Sequence, residues 1–144
     1  SFITQGAKVM MICNEESAKR TMQRAALSHC GLTIEEAYKN RERGKKIWDR
    51  VKDRATVRDA QDYPTMSAVE ALVRKKKPDI LIIDQLDKMQ VSGVFTRDDL
   101  RLSEVYRKAR YMAKKHNLAL IAVSQADAST SVKISLVERM AGLV

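Results

Sequence analysis

Short runs of apolar residues alternate along this chain with longer segments in which apolar residues recur every three or four positions. The apolar runs are 8–13 (KVMMIC), 79–84 (DILIID) and 118–125 (LALIAVSQ), and 55–60 (ATVRDA) is a weaker run of the same kind. Runs of this length favour buried β-strands, whereas three-and-four spacing is typical of amphipathic helices. The pattern therefore predicts an α/β fold in which strands and helices alternate.

The helical segments carry start and stop signals. Ser17 is a candidate N-cap and Gly31 a stop for the first helix, and Thr33 with Glu36 forms a capping box for the second. We predict further helices at 41–54 (a basic segment), from Pro64 or Thr65 to residue 77, and from Arg97 or Asp98 to His116.

The two strongest strands are apolar throughout rather than alternating, which predicts a mostly parallel sheet with helices on both faces. In such sheets, ligands bind beyond the carboxyl ends of the strands. Asp84 ends one strand, Ser124 and Gln125 end another, and Glu15 and Glu16 follow a third. Because these ends meet at one edge of the sheet, we expect polar groups from three strands to share a crevice.

Composition and charge fit a globular domain with a polyanionic partner. The 144 residues are 44% hydrophobic and 31% charged, and the formal net charge is +9. Such a charge is typical of nucleic-acid binding, although lysines on solvated helices give the same total. Cys13 and Cys30 lack metal-ligand spacing, so we predict free thiols and no zinc site. No stretch has membrane-spanning length, so we expect a cytoplasmic protein without a membrane partner.

Each strand-end side chain has a catalytic and a structural interpretation. Asp84 is suited to orient water around Mg²⁺ in a nucleotide site, but an aspartate at a strand end often caps a helix. Glu15 is placed to act as a general base, or only to favour a helix N-terminus. For Glu16 the structural interpretation is the stronger one. The Gln125 amide can donate to a phosphate oxygen, or be a polar strand end without function.

Three segments together resemble a known family. KVMMICNEES, PDILIIDQLDKMQ and LALIAVSQ, in this order and spacing, resemble the DnaB-like replicative helicases among the RecA-like ATPases, including the phage primase-helicases. The resemblance covers residues 1–125 and implies a RecA-like fold. It also implies that Glu15 is the catalytic glutamate, that Asp84 is the Walker B aspartate, and that Gln125 senses the terminal phosphate. ATP or another NTP, with Mg²⁺, is the implied cofactor set.

The chain departs from that family at the phosphate-binding loop. It contains no G-x-x-x-x-G-K-S/T, since its five glycines are at positions 6, 31, 44, 93 and 142. SFITQG resembles the end of the helix that follows this loop in the family. We therefore expect residues 1–144 to be a single partial ATPase domain, incomplete at its N-terminal and C-terminal sides and unable to hydrolyse ATP alone. A natural degenerate domain is the alternative.

Two stretches containing Gly, Ser or Thr are candidates for DNA-facing loops: 90–99, and 126–142 within the terminal segment 126–144. The second includes ERMAG, which resembles the arginine-containing channel loop of the family. That resemblance implies DNA contacts from Arg139 and Gly142, and Lys133 could add a phosphate contact. A surface helix in this stretch is the alternative.

The leading hypothesis is the ATPase core of a replicative DNA helicase that couples NTP hydrolysis to translocation on single-stranded DNA. By resemblance, its full-length parent forms a homo-hexameric ring and has primase as a further partner. A RecA-like recombination or strand-annealing ATPase shares the strand-end acids and is a second hypothesis. A third is a basic RecA-like module that binds nucleic acid without hydrolysis, for which Glu15→Gln would have no effect.

Overall fold

The computed structural model describes residues 2–125, in which four strands alternate with helices. The strands are β1 (Val9–Cys13), β2 (Ala55–Asp59), β3 (Ile80–Ile83) and β4 (Ala119–Ala122). The helices are α1 (Ala18–Cys30), α2 (Ile34–Lys39), α3 (Arg41–Trp48), α4 (Met66–Lys76) and α5 (Asp98–Lys115). Short 3₁₀ turns follow α3 and β3, at Lys52–Arg54 and Leu86–Lys88. The predicted alternation of strands and helices is confirmed.

The sheet is parallel throughout, with the strand order β2-β1-β3-β4. From β1 the chain crosses to β2 on one side, and then returns past β1 to β3 and on to β4. Because crossovers between parallel strands are right-handed, this reversal places α1–α3 on one face and α4 and α5 on the other. The reversal also creates a switch point between the carboxyl ends of β1 and β3, which is where open α/β sheets bind ligands.

The core lies between the sheet and the α4/α5 layer. Met10 pairs in register with Leu81, and Ile12 pairs with Ile83, so these four side chains point to the same face. All four are fully buried. They pack with six buried side chains of α4 and α5: Val69, Leu72, Val73, Val105, Ala109 and Met112. Close packing of this kind holds β1 and β3 in place against the helices.

The predicted helix signals are confirmed. The Ser17 hydroxyl accepts a hydrogen bond from the backbone of α1, and Gly31 ends that helix with a φ of 63°. Thr33 and Glu36 form both hydrogen bonds of a capping box. The Thr65 hydroxyl accepts from the first turn of α4. Each device supplies a partner for a backbone group that a helix end would otherwise leave unpaired.

Two predicted elements are longer in the sequence pattern than in the structure. The helix predicted over 41–54 is continuous only to Trp48, because the chain then turns to bury Val51. The turn is marked by a 2.9 Å hydrogen bond from the Val51 amide to the Trp48 carbonyl, three residues back. The apolar run 118–125 pairs with β3 only over Ala119–Ala122.

Two apolar surfaces are left open in the described part of the chain. An open groove of about 830 Å³ is bounded by α1, α2 and α3, with Leu27, Leu32 and Trp48 in its lining. Strand β4 has one strand neighbour, and Ile121 and Val123 are 44% and 48% exposed. The sequence predicts coverage of both faces for the whole sheet, but α1 packs mainly on β1 and β2, and β4 remains partly exposed. No helix within residues 2–125 has the length and apolarity needed to cross a membrane.

Candidate active site at the sheet switch point

The ends of β1 and β3 lie side by side at the switch point. Ile12 and Ile83 are register partners, and the Asp84 amide donates a 2.9 Å hydrogen bond to the Ile12 carbonyl. The residues that follow β1, including Glu15, therefore emerge next to those that follow β3. Two of the three strand ends that the sequence predicts to meet are therefore direct neighbours.

Four side chains form one hydrogen-bonded group here. The Gln125 Nε2 donates to Glu15 Oε1 at 3.0 Å, and the Gln85 Nε2 donates to the same oxygen. The Asn14 Nδ2 in turn donates to Gln85 Oε1 at 2.7 Å. Two of the predicted residues, Glu15 and Gln125, are thus in direct contact although they are 110 positions apart. The group joins the ends of β1, β3 and β4.

The carboxylate of Asp84 stands outside that group. It is half-buried, and none of residues 2–125 donates a hydrogen bond to it. Asp59, which ends β2, differs, because its Oδ1 accepts a 2.7 Å hydrogen bond from the Ala18 amide at the start of α1. The helix-capping interpretation of a strand-end aspartate therefore applies to Asp59 and not to Asp84.

Glu16 is directed towards α1. Its carboxylate pairs with Arg20 and Arg24, at 3.1 Å in each case, and accepts a 3.3 Å hydrogen bond from the Thr21 hydroxyl. These are the contacts of an acid at a helix N-terminus, as its structural interpretation predicted. Adjacent acids in the sequence thus have different environments, and Glu15 is the one in contact with other strand ends.

Cys13 is the last residue of β1 and is buried beside the site. Burial raises the pKa of its thiol, and the negative charges of Asp84 and Asp59 add to the rise, while a hydrogen bond with Thr21 partly opposes it. The thiol is therefore protonated at neutral pH and is a poor nucleophile. Cys13 and Cys30 are both free thiols.

The segment that carries Gln125 is tied to its neighbours beyond the end of β4. The Val123 amide donates to the Ile83 carbonyl at 3.0 Å, and the Val123 carbonyl accepts from the Leu86 amide at 2.8 Å. The Ser124 hydroxyl lies 2.6 Å from the Tyr106 hydroxyl of α5. These contacts set the direction in which the chain reaches Gln125.

The donor set suits a magnesium ion that arrives with a nucleotide. Mg²⁺ keeps several of its waters and binds one or two carboxylates together with substrate phosphates. Asp84 provides one such carboxylate without competing hydrogen bonds in the described chain. No cluster of three His, Cys, Asp or Glu residues able to hold a metal occurs within residues 2–125. The Asp84 carboxylate therefore fits a Mg²⁺ ion that is shared with phosphates.

Sequence reasoning missed Asn14 and Gln85. Gln85 is the one buried polar residue among those described, at 7% exposure. The signal in the sequence was weak. Gln85 directly follows Asp84 and Asn14 directly precedes Glu15, and both side chains end in a carboxamide.

The predicted DNA contacts are only partly within the described structure. Lys133, Arg139, Gly142 and the whole 126–144 stretch lie outside the described residues. The other candidate, 90–99, follows the 3₁₀ turn after β3 and ends at the start of α5. At its centre Gly93 has a φ of 135°, and Val94 is 99% exposed.

Comparisons with known proteins show the fold. No protein-family model matches the sequence, and no curated protein matches it. The structure is similar to a solved structure described as an ATPase domain, with a TM-score of 0.71 at 15% identity over 89% of this chain and 50% of that one. It is equally similar to one described as "The Structure Of A DnaB-Like Replicative Helicase And Its Interactions With Primase", where it spans 34% of that chain.

The predicted fold resemblance to the DnaB-like helicases is therefore confirmed. The four-stranded parallel sheet with its flanking helices is the fold that this chain shares with both solved structures. The chain spans half the length of the first structure and about a third of the second.

Proposed function

We propose that this chain belongs to a nucleotide-hydrolysing motor that moves along single-stranded DNA, as a replicative helicase does. The observation that carries the proposal is the contact between Glu15 and Gln125 beside the end of β3, where Asp84 follows, in a fold that matches an ATPase domain. A carboxylate available to a metal, a second acid and a movable amide are the groups that phosphoryl transfer to water requires.

The proposed chemistry divides between the two acids. Glu15 acts as the general base and accepts a proton from the water that attacks the terminal phosphate. Asp84 holds the water shell of Mg²⁺, and the bound ion neutralises the charge of the phosphates. Gln125 exchanges its hydrogen bond with Glu15 for one with a phosphate oxygen, and so detects whether the terminal phosphate is present.

The phosphates themselves need a cradle that this sequence does not contain. We propose that a phosphate-binding loop precedes residue 1 in a longer protein, which uses ATP or another NTP. By likeness to the DnaB-like helicase described with primase, we further propose primase as a partner. From the resemblance of the sequence to that family, we propose a hexameric ring. Hydrolysis is therefore to be measured in that longer protein.

Asp84→Asn is expected to weaken Mg²⁺-dependent nucleotide binding by about 10- to 100-fold, because the amide carries no charge with which to hold the metal and its waters. Equilibrium titration of a fluorescent nucleotide, with and without Mg²⁺, measures this loss.

The matched control for this variant lies at the other end of the same strand. Asp79 precedes β3 and its Oδ2 accepts a 2.7 Å hydrogen bond from the Lys8 amide, a bond that asparagine can also accept. Asp79→Asn should leave nucleotide affinity unchanged. Equal affinity losses for the two variants, or none for Asp84→Asn, would remove the metal role from Asp84.

Binding to single-stranded DNA is expected to depend steeply on salt and little on base sequence. The charge of +9 points to phosphate contacts, and aromatic residues for base stacking make up only 5% of the chain. Three phosphate contacts would lower the affinity roughly 20-fold between 50 and 200 mM salt, from a slope of about −0.7 per contact. Fluorescence anisotropy with oligonucleotides of two unrelated sequences measures both properties. Affinity that is independent of salt would contradict the proposed DNA interface.

A further inference from the structure

Gln85 has a backbone conformation that its side chain does not favour. Its φ of 56° and ψ of 61° lie in the left-handed region, which a residue other than Gly, Asn or Asp seldom adopts. Hydrogen bonds hold the backbone on both sides of it, from the Asp84 amide to Ile12 and from the Leu86 amide to Val123. Strained backbone persists where surrounding structure enforces it, and such positions occur often at functional sites.

This backbone conformation directs the Gln85 side chain between Asn14 and Glu15, which follow β1. Its Oε1 accepts from Asn14, and its Nε2 donates to Oε1 of Glu15. This bridge needs a donor at one end and an acceptor at the other, which a carboxamide provides. Glutamate would place a second carboxylate against Glu15, lysine has no acceptor, and asparagine is one methylene too short.

The two amides that contact Glu15 converge on one of its oxygens. Gln85 and Gln125 both donate to Oε1, and none of residues 2–125 donates to Oε2. Oε2 is therefore the oxygen left to accept a proton. Gln85 is buried and bridged to Asn14, whereas Gln125 is exposed and bonded to Glu15 alone among the described residues. When Gln125 turns to a phosphate, Gln85 remains in contact with Glu15.

We propose that Gln85 is a positioning residue that fixes the orientation of the Glu15 carboxylate and so keeps Oε2 directed towards the attacking water. This rests on the proposed role of Glu15 as general base. Gln85 would thus have a positioning role that its place in the sequence does not indicate. Loss of the bridge should slow the chemical step and leave nucleotide binding intact.

The first test is Gln85→Asn in the longer protein. Asparagine adopts the left-handed conformation more readily but cannot span from Asn14 to Glu15. We expect kcat to fall about 10- to 100-fold with little change in KM for nucleotide, as for a reacting group misplaced by about 1 Å. Gln85→Gly, which removes both the backbone strain and all polar side-chain atoms, should give the same fall. Gln23→Asn, on the exposed side of α1, is the matched control. Wild-type kcat in both Gln85 variants would overturn the proposal.

The second test does not depend on activity. In the 144-residue chain, the side-chain amide protons of Gln85 should give NMR resonances that shift on Glu15→Ala and not on Glu16→Ala. If the resonances of the Gln85 side-chain amide protons do not shift in Glu15→Ala, the proposed contact is wrong. If they respond, but Glu15→Gln leaves hydrolysis unchanged, the general-base proposal itself fails and the positioning role falls with it. If Glu15→Gln slows hydrolysis and Gln85→Asn does not, only the positioning role is wrong.

Discussion

Glu15→Gln is expected to lower the rate of nucleotide hydrolysis by about 10²- to 10⁴-fold while nucleotide affinity stays close to that of the unmodified protein. Glutamine keeps the shape of the side chain and the oxygen that accepts from Gln85 and Gln125. It loses the ability to take a proton from water, so the effect falls on the chemical step. Steady-state hydrolysis and nucleotide binding by the longer protein, with and without single-stranded DNA, measure the two quantities.

Glu16→Gln is the control for this prediction because it changes the neighbouring acid. Its partners are Arg20 and Arg24 on α1, both of which are largely exposed, so the substitution should be nearly silent in hydrolysis. A loss of turnover in Glu16→Gln, with none in Glu15→Gln, would reverse the assignment of the two acids. If neither substitution matters, the strand-end acids are structural, and a nucleic-acid-binding module without hydrolysis becomes the better description.

Leu81→Ala is expected to lower the free energy of unfolding by about 2–5 kcal/mol. Leu81 is fully buried at the centre of β3, between β1 and β4, and packs in the core with side chains of α4 and α5. Removing its side chain leaves a cavity that the strands on either side cannot close. Urea denaturation of the 144-residue chain, followed by far-ultraviolet circular dichroism, measures the change.

Ile121→Ala provides the comparison on the neighbouring strand. Ile121 is the register partner of Ile82 and is 44% exposed, so its truncation should cost about 1 kcal/mol or less. Costs of similar size for Leu81→Ala and Ile121→Ala would mean that the α4/α5 face is not the main core.

The sequence pattern predicts the elements of this fold well because each is specified locally. Thr33 and Glu36 cap a helix through atoms three residues apart, and the apolar run 79–84 indicates a buried strand whatever lies beside it. Strand order is not local. That β1 lies between β2 and β3, rather than at an edge, is decided by packing of helices on the two faces, and it cannot be read from any one segment.

The candidate site likewise contains residues that the sequence pattern identifies and a residue that it does not. Glu15 and Asp84 are recognisable because polarity changes abruptly where an apolar strand ends. The role of Gln85 depends on β1 and β3 being neighbours, and on a left-handed conformation that a glutamine gives no reason to expect. The same limit applies to Asp59, whose contact with the start of α1 requires β2 to lie beside β1.

Glu15, Asp84 and Gln125 follow strands that differ in their number of strand neighbours. Glu15 and Asp84 follow β1 and β3, which have strands on both sides. Gln125 follows β4, which in the described structure is held by a strand on one side only and has an exposed outer surface. Two of the three side chains thus follow strands with two neighbours, whereas the chain before Gln125 is held by β3 and by the contacts of Val123 and Ser124. A displacement of β4 would change the separation of Gln125 from Glu15, and it would also reach Gln85 through the hydrogen bond between the Leu86 amide and the Val123 carbonyl. The contact between Gln125 and Glu15 would thus depend on the position of β4 as well as on the presence of a phosphate.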